Sequence, residues 1–254
     1  MNQYINLARF GRLLRKHFAE HLAAYALSGI VLLGGLLAVL GFVSYLSANM
    51  GGLVQSEQLA IFTLAILGAG TFFASTALAG YGQGSRAALA LTLPASHLEK
   101  YLVAWLFSVP GFLVVFTAVF YLADWVVLAI SGHPALLFNL FANPEWLLTM
   151  LLYLLLLHAV AMWGSIFFRR QPFIRTGFVL FALVVVLSVA NYQLLCGLLG
   201  ARLDFALPLT HVKLPNGLSL SLPESQERWL AWLPVALVLL LWPAAYARLT
   251  EKQL

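Results

Sequence analysis

Six long apolar stretches, separated by short polar breaks, run along this chain. They cover residues 22–47, 58–79, 101–130, 146–168, 173–200 and 229–247. Each is close to or above the length of about 20 residues that a helix needs to cross a bilayer. Apolar residues follow one another without alternation at 147–157 and 179–189, which favours helices over the strands of a membrane β-barrel. The pattern predicts an all-α integral membrane protein in which residues 1–254 form one domain with six transmembrane helices.

The composition agrees with this interpretation. The chain is 62% hydrophobic and only 9% charged, with a mean hydropathy of +0.92. Soluble domains have roughly 25% charged residues. Most of the surface of this protein must therefore face lipid.

The first 21 residues have a different pattern, with apolar and basic residues on opposite faces of a helix. The apolar face holds Tyr4, Leu7, Phe10, Leu14 and Phe18, and the basic residues of the segment are Arg9, Arg12, Arg15 and Lys16. A helix of this kind lies in the membrane interface with its cations among lipid phosphates. Residues 1–21 are therefore predicted to form an amphipathic interfacial helix before the first span. This helix contacts lipid, and contact with a cytoplasmic partner is a second interpretation.

The distribution of Lys and Arg predicts the orientation. Eleven of the fourteen lie before the first span, in the second and fourth connections, or after the last span, and three lie in residues 201–228. Because short cytoplasmic loops carry the positive excess, both termini are predicted to be cytoplasmic and 201–228 to be an extracytoplasmic loop. This asymmetry and attraction to anionic lipid explain the net charge of +5 without a nucleic-acid partner.

Two connections on the outer side have patterns of their own. Residues 131–145 are semi-apolar and are expected to form a short helix on the outer surface. In residues 211–222, polar and apolar residues alternate on both sides of Pro215, Asn216 and Gly217. This is typical of a β-hairpin.

The connection after the second span, residues 80–100, is the richest in signals. Ser96 and Glu99 have the spacing of a capping box, in which each side chain bonds the backbone amide of the other. Pro94 ends whatever precedes it. A helix is therefore predicted to begin at His97 and to continue through the third span to residue 130, with a kink at Pro110.

Polar residues inside the predicted spans are the candidates for a substrate path: Asp124, His158, Asn191 and Gln193. Ionisable groups within a bilayer are functional candidates by default. The alternative is structural: Asp124 would reach water at the outer interface, and His158 would be a hydrogen-bonded neutral imidazole. Asn191 and Gln193 would bond across helices or line the path.

Motifs for catalysis or cofactor binding are absent from the sequence. None of the four lysines lies in a phosphate-binding loop, and the sequence has no His-Glu-x-x-His or Gly-x-Ser-x-Gly motif. The chain is therefore expected not to be an enzyme and to use no cofactor or metal. Any ATP hydrolysis linked to its function has to come from another subunit.

Residues 91–102, which read LTLPASHLEKYL, resemble the type-2 family of ATP-binding-cassette (ABC) permeases. Members often carry a Leu-Pro-Ala/Val-Ser-x-x-Glu-Lys signature between the second and third of six spans. The matching positions are Leu91, Leu93, Pro94, Ser96, Glu99 and Lys100, with Arg86 and Leu89 just upstream. The resemblance implies that residues 80–100 are a coupling segment that docks on a separate ATPase subunit.

The resemblance also implies a second permease subunit, identical or different, and a location in the bacterial cytoplasmic (inner) membrane. The expected function is that of the permease subunit of an ATP-driven ABC transporter, an exporter. The alternative is a membrane scaffold or accessory protein that recruits a cytoplasmic partner without transport. A membrane-embedded enzyme is a third class, for which the sequence offers no catalytic set.

Overall fold

The computed structural model describes residues 6–48, 52–79, 95–133, 136–168, 170–199, 212–213, 219–220, 226, 229–230 and 232–251. Within these ranges, six helices are long and apolar enough to cross a membrane. The all-α architecture with six such helices is thus confirmed, and it is consistent with a multi-pass membrane protein.

The helix bounds lie close to those predicted. They are α1 Leu7–Leu46, α2 Gln55–Ala77, α3 His97–Leu106, α4 Phe112–Ile130, α5 Pro144–Phe167, α6 Pro172–Leu199 and α7 Leu233–Glu251. A π-helical segment, Phe107–Gly111, joins α3 to α4. These three pieces form one continuous helix, the third span, which begins at His97 and ends at Ile130 as the sequence predicted.

The separate amphipathic helix expected at residues 1–21 is not found in the described part of this segment. Residues 7–21 belong to α1, which continues without a break for 40 residues. The predicted boundary after residue 21 is wrong because no proline or other helix breaker stands there. A helix of 40 residues is about 60 Å long, twice the thickness of a bilayer core of about 30 Å.

The third span is also longer than a membrane requires, with 34 residues and a length of about 51 Å. It runs parallel to α1 and contacts it near both ends. At one end, the Asn6 backbone N–H donates to Glu99 at 2.8 Å. At the other, the hydroxyls of Ser44 and Ser131 are 2.8 Å apart. By contrast, α2 and α5 have 23 and 24 residues, which is close to one bilayer thickness.

Two apolar clusters fill the interior. The first lies toward the end where α1 terminates and includes Leu40, Phe62, Phe116 and Phe120. The second lies toward the opposite end and is formed by Leu78, Tyr101, Ala104, Met162, Ile166, Ala245 and Leu249. The third span changes from one cluster to the other at its π-helical segment.

Apolar side chains also cover the outside of the helices. Phe178 on α6 is 70% exposed and Val114 on α4 is 71% exposed. Such a continuous apolar exterior has to be covered by something other than water. It is the expected surface of a protein that faces lipid.

The short surface helix that the sequence suggested within residues 131–145 is not found at 131–133 and 136–143, the described positions before α5. The chain folds inward, and Phe138 is buried among Phe62, Phe120 and Trp146. Side chains of two helices form hydrogen bonds with the backbone of this segment. Gln58 of α2 donates to the Leu136 carbonyl at 2.9 Å, and Asp124 of α4 accepts from the Phe138 amide at 3.0 Å. Buried side-chain partners satisfy these backbone groups, so no helix is needed.

The predicted hairpin is present at the positions that the structure describes. Val212–Lys213 (β1) and Ser219–Leu220 (β2) are antiparallel, with Val212 opposite Leu220 and Lys213 opposite Ser219. The turn between them lies outside the described residues.

Candidate functional site: the junction of α1 with the third span

The third span begins with the capping box that the sequence predicted. The Glu99 amide donates to the Ser96 hydroxyl oxygen at 3.1 Å, and the Ser96 amide donates to Glu99 Oε2 at 3.0 Å. Ser96 has an extended backbone and is the N-cap of the helix that begins at His97. The capping box therefore fixes where the third span starts and the direction in which it leaves the connection.

Glu99 also forms hydrogen bonds with the start of α1. The Asn6 amide donates to Oε1 at 2.8 Å, and the Arg9 guanidinium donates to the same oxygen at 3.3 Å. Asn6 is itself the N-cap of α1, because its side chain accepts from the amides of Ala8 and Arg9. One carboxylate thus bonds the first turns of two helices that are separated by more than 90 residues in sequence.

The electrostatics of this junction favour a negative charge. The N-terminus of a helix carries a partial positive charge, and here two such termini and a guanidinium converge on one carboxylate. The Glu99 side chain is 0% exposed, whereas Arg9 is 31% exposed. Burial of a carboxylate is costly unless its oxygens are bonded. The contacts from Ser96, Asn6 and Arg9 compensate for that cost.

The remaining basic residues of α1 lie on its exposed side. Arg12 donates to the Ala8 carbonyl of its own helix at 3.2 Å, and Lys16 lies 3.7 Å from Glu20. Arg15 is exposed. Lys100 is 2% exposed. Glu99 and Lys100, which sequence analysis assigned to partner binding, thus lie inside the protein.

Five of the predicted partner-binding residues lie outside the described residues: Arg86, Leu89, Leu91, Leu93 and Pro94. Their assignment to the coupling segment stays a prediction. The described part of that segment is residues 95–100, which contain the capping box and lead directly into the third span.

Asp124 is not the water-facing residue that its neighbourhood in the sequence suggested. It is fully buried, and its Oδ2 accepts the Phe138 amide at 3.0 Å. The physical reason is that the backbone at Phe138 replaces water as the partner of the carboxylate. This bond gives Asp124 a structural role at the end of the third span.

His158 is a hydrogen-bonded imidazole, as the structural interpretation of the sequence had it. Its Nε2 is 2.8 Å from the Ser108 hydroxyl, and its Nδ1 accepts from the Trp242 indole at 3.3 Å. The side chain thereby joins α5 to the π-helical segment and to α7. Ser108 and Trp242 carried no signal in the sequence, because each lies among apolar residues far from His158 along the chain.

Asn191 and Gln193 lie on α6, where Asn191 is half-buried and Gln193 is exposed. This helix packs mainly against α5 and α2, while Asp124 lies on α4 and accepts from the Phe138 amide. Asp124 and His158 therefore have different hydrogen-bond partners, Phe138 for the first and Ser108 and Trp242 for the second. In the described part of the chain, no three His, Cys, Asp or Glu residues are grouped to hold a metal.

No protein-family model, curated protein or solved structure matches this chain.

Proposed function

We propose that this chain is the membrane-spanning permease subunit of an ATP-driven ABC transporter. In this proposal it pairs with a second permease subunit and a separate ATPase in the bacterial inner membrane, and it exports its substrate. The observation that carries the proposal is the junction at Glu99. The residues that resemble the permease signature end where α1 is joined to the third span, and both of these helices are longer than a bilayer requires.

The geometry of the junction fits a role in force transmission. Glu99 bonds the start of the third span through Ser96 and the start of α1 through Asn6 and Arg9. A displacement of the segment before Ser96 would therefore reach two spans at once. Both helices extend past the length of α2 and α5, which places the junction outside the bilayer core when the shorter helices span it.

The charge pattern supports a cytoplasmic position for the junction. Arg9, Arg12, Arg15 and Lys16 lie in the first turns of α1, and Arg170 and Arg175 lie between α5 and α6 or at the start of α6. Positive residues concentrate on the cytoplasmic side of membrane proteins. An ATPase in the cytoplasm would approach the protein from this side.

Labelling with an impermeant thiol reagent tests this orientation. In a Cys196→Ser background, we expect Asn49→Cys and Asn216→Cys to react in intact cells, and Gly84→Cys to react only after the membrane is opened. Reaction of Gly84→Cys from outside would contradict the proposed orientation.

The ATPase contact is tested at Leu91. Leu89, Leu91 and Leu93 lie in a short connection that is predicted to be cytoplasmic, and leucines in such a connection indicate a contact with another surface. We expect Leu91→Glu to abolish co-purification of an ATPase subunit, identified by its nucleotide-binding sequence and by ATP hydrolysis. Leu91→Val, which stays apolar, should retain it.

Thermal melting of each variant in detergent serves as the folding control, because the substitution lies outside the predicted spans. ATPase binding by Leu91→Glu at the parental level would contradict the coupling assignment. A parental protein that recovers no ATPase from its native membrane would favour the scaffold function instead.

A further inference from the structure

The π-helical segment Phe107–Gly111 divides the third span into two parts with different neighbours. On its C-terminal side, Phe116 and Phe120 of α4 belong to the first apolar cluster. On its N-terminal side, Tyr101 and Ala104 of α3 belong to the second apolar cluster. Pro110 lies within the segment, and proline removes a backbone donor from the helix. The helix is therefore weakest where it changes partners, and π-helical turns are frequent at functional positions.

On one side, α1 holds the segment through aromatic contacts. The Phe107 ring lies 4.8 Å from the His17 ring and 5.9 Å from the Tyr25 ring. His17 and Tyr25 are bonded to each other, with 2.8 Å between Nε2 and the hydroxyl oxygen. Phe107 is thus packed against two side chains of α1 that stabilise each other.

On the opposite side, a chain of hydrogen bonds holds the next residue, Ser108. The Trp242 indole can only donate, so Nδ1 of His158 is an acceptor and Nε2 carries the proton. Nε2 then donates to the Ser108 oxygen at 2.8 Å, and the Ser108 hydroxyl donates to the Trp105 carbonyl at 3.3 Å. Each polar atom in this series of hydrogen bonds is a defined donor or acceptor, and the series connects α5, α7 and the third span.

A second contact ties α7 to α3 just below the segment. The Tyr101 hydroxyl donates to the Trp242 carbonyl at 3.1 Å. Trp242 therefore contacts α3 through its backbone and the π-helical segment through His158. Loss of the His158 bonds would free the segment while leaving α7 attached to the lower part of the span.

We propose that the π-helical segment is a hinge in the third span and that Ser108, His158 and Trp242 form the latch that holds it in the conformation seen here. When the latch opens, α3 swings relative to α4 and carries the start of α1 with it through Glu99. The inference rests on the proposed function only for the source of the force, which is the ATPase acting on the coupling segment.

α1 also has a position at which it can bend. Ser28 and Gly29 lie about one turn beyond Tyr25, and no atom lies within 4 Å of where a Cβ on Gly29 would stand. Packing therefore does not require a glycine at this position. Helices bend readily at Gly and Ser pairs, so α1 can follow the movement of α3.

The size of the movement follows from the length of the arm. α3 has 10 residues and is about 15 Å long. A bend of about 20°, the lower limit of a sharp kink, would displace its start by about 5 Å. Such a displacement is large enough to be resolved by electron-electron distance measurements between spin labels.

The experiment places spin labels at Ala8→Cys, near the junction, and at Leu148→Cys, near the end of α5 that is distant from the junction. Both substitutions are made in a Cys196→Ser background. Both positions are exposed, and the permease is measured alone in nanodiscs. In Ser108→Ala and in Trp242→Phe, we expect a second distance that differs by about 5 Å or more. The pair Val39→Cys and Leu148→Cys, which lies on one side of the hinge, should give the parental distance in every variant.

Ser165→Ala is the matched control for loss of a buried hydroxyl. Ser165 lies on α5 and donates within its own helix, to the Met162 carbonyl at 2.6 Å, so its removal should leave both distances unchanged. Parental distances for the Ala8 pair in both Ser108→Ala and Trp242→Phe would overturn the latch. An altered distance together with no ATPase partner would retain the hinge and refute the proposed function, so the two failures are distinguishable.

Discussion

Replacing Glu99 with alanine should release the start of α1 from the third span. The substitution removes the acceptor of the Asn6 amide, the partner of the Arg9 guanidinium and the half of the capping box that bonds the Ser96 amide. Both helix starts should then open more often, while the transmembrane parts of the same helices remain packed. The perturbation thus separates the junction from the rest of the fold.

The magnitude follows from the burial of the two partners. Removal of one partner from a fully buried ion pair costs about 3–5 kcal/mol. Because Arg9 is 31% exposed and water can solvate it in the variant, we take a local cost of about 2 kcal/mol. This corresponds to an opening equilibrium about 30-fold larger at the junction. Glu99→Gln should have a smaller effect, because glutamine retains one acceptor oxygen.

Hydrogen exchange followed by mass spectrometry measures this opening directly. In Glu99→Ala, amides in residues 6–12 and 96–101 should exchange faster by up to about 30-fold. Glu57→Ala is the matched control, because Glu57 caps α2 by accepting the Val54 amide at 3.2 Å and contacts Ser47 at the opposite end of the bundle. It should accelerate exchange near residues 47–58 only. Parental exchange at residues 6–12 in Glu99→Ala would refute the link between the two helices.

Two further substitutions test the packing around the bundle. Gly164→Ala should lower the melting temperature, because a Cβ on this glycine would overlap the Thr176 side chain of α6, and such overpacking costs about 1–3 kcal/mol. Gly177→Ala is the control, because its Cβ would meet no atom within 4 Å, and it should leave the melting temperature unchanged. Equal melting temperatures of the two variants would contradict the close approach of α5 and α6 at Gly164. Asp124→Leu should expose residues 136–143 to protease, because the buried Phe138 amide loses its acceptor at a cost of about 1–3 kcal/mol, whereas Asp124→Asn keeps an oxygen and should resist cleavage as the parent does.

Local signals in the sequence were sufficient to predict much of the fold. The apolar stretches predicted six long helices, and the Ser96–Glu99 spacing with the apolar run beyond it placed the third span at His97 to residue 130. The hairpin was predicted from the alternation on both sides of Pro215, Asn216 and Gly217, and its strands are found at Val212–Lys213 and Ser219–Leu220. These features depend on residues that are close together along the chain, where side-chain chemistry and periodicity are visible directly.

Contacts between distant parts of the chain could not be predicted in the same way. Nothing near Glu99 indicates that Asn6, 93 positions away, donates to it. The same limit explains Asp124, whose partner is the backbone amide of Phe138 and therefore carries no residue-type signal. The continuity of α1 past residue 21 was missed because a change in polarity was interpreted as the end of a helix, although no residue there interrupts helical geometry.

Native mass spectrometry of the protein solubilised from its own membrane tests the central claim most directly. The proposed function predicts an assembly of two permease subunits, at least one of which is this chain of 27.9 kDa, with two copies of a nucleotide-binding subunit, and it predicts that this assembly hydrolyses ATP. The Leu91→Glu variant should appear without the nucleotide-binding subunits. Recovery of the parental protein alone, or only with partners that bind no nucleotide, would contradict the assignment as an ABC permease.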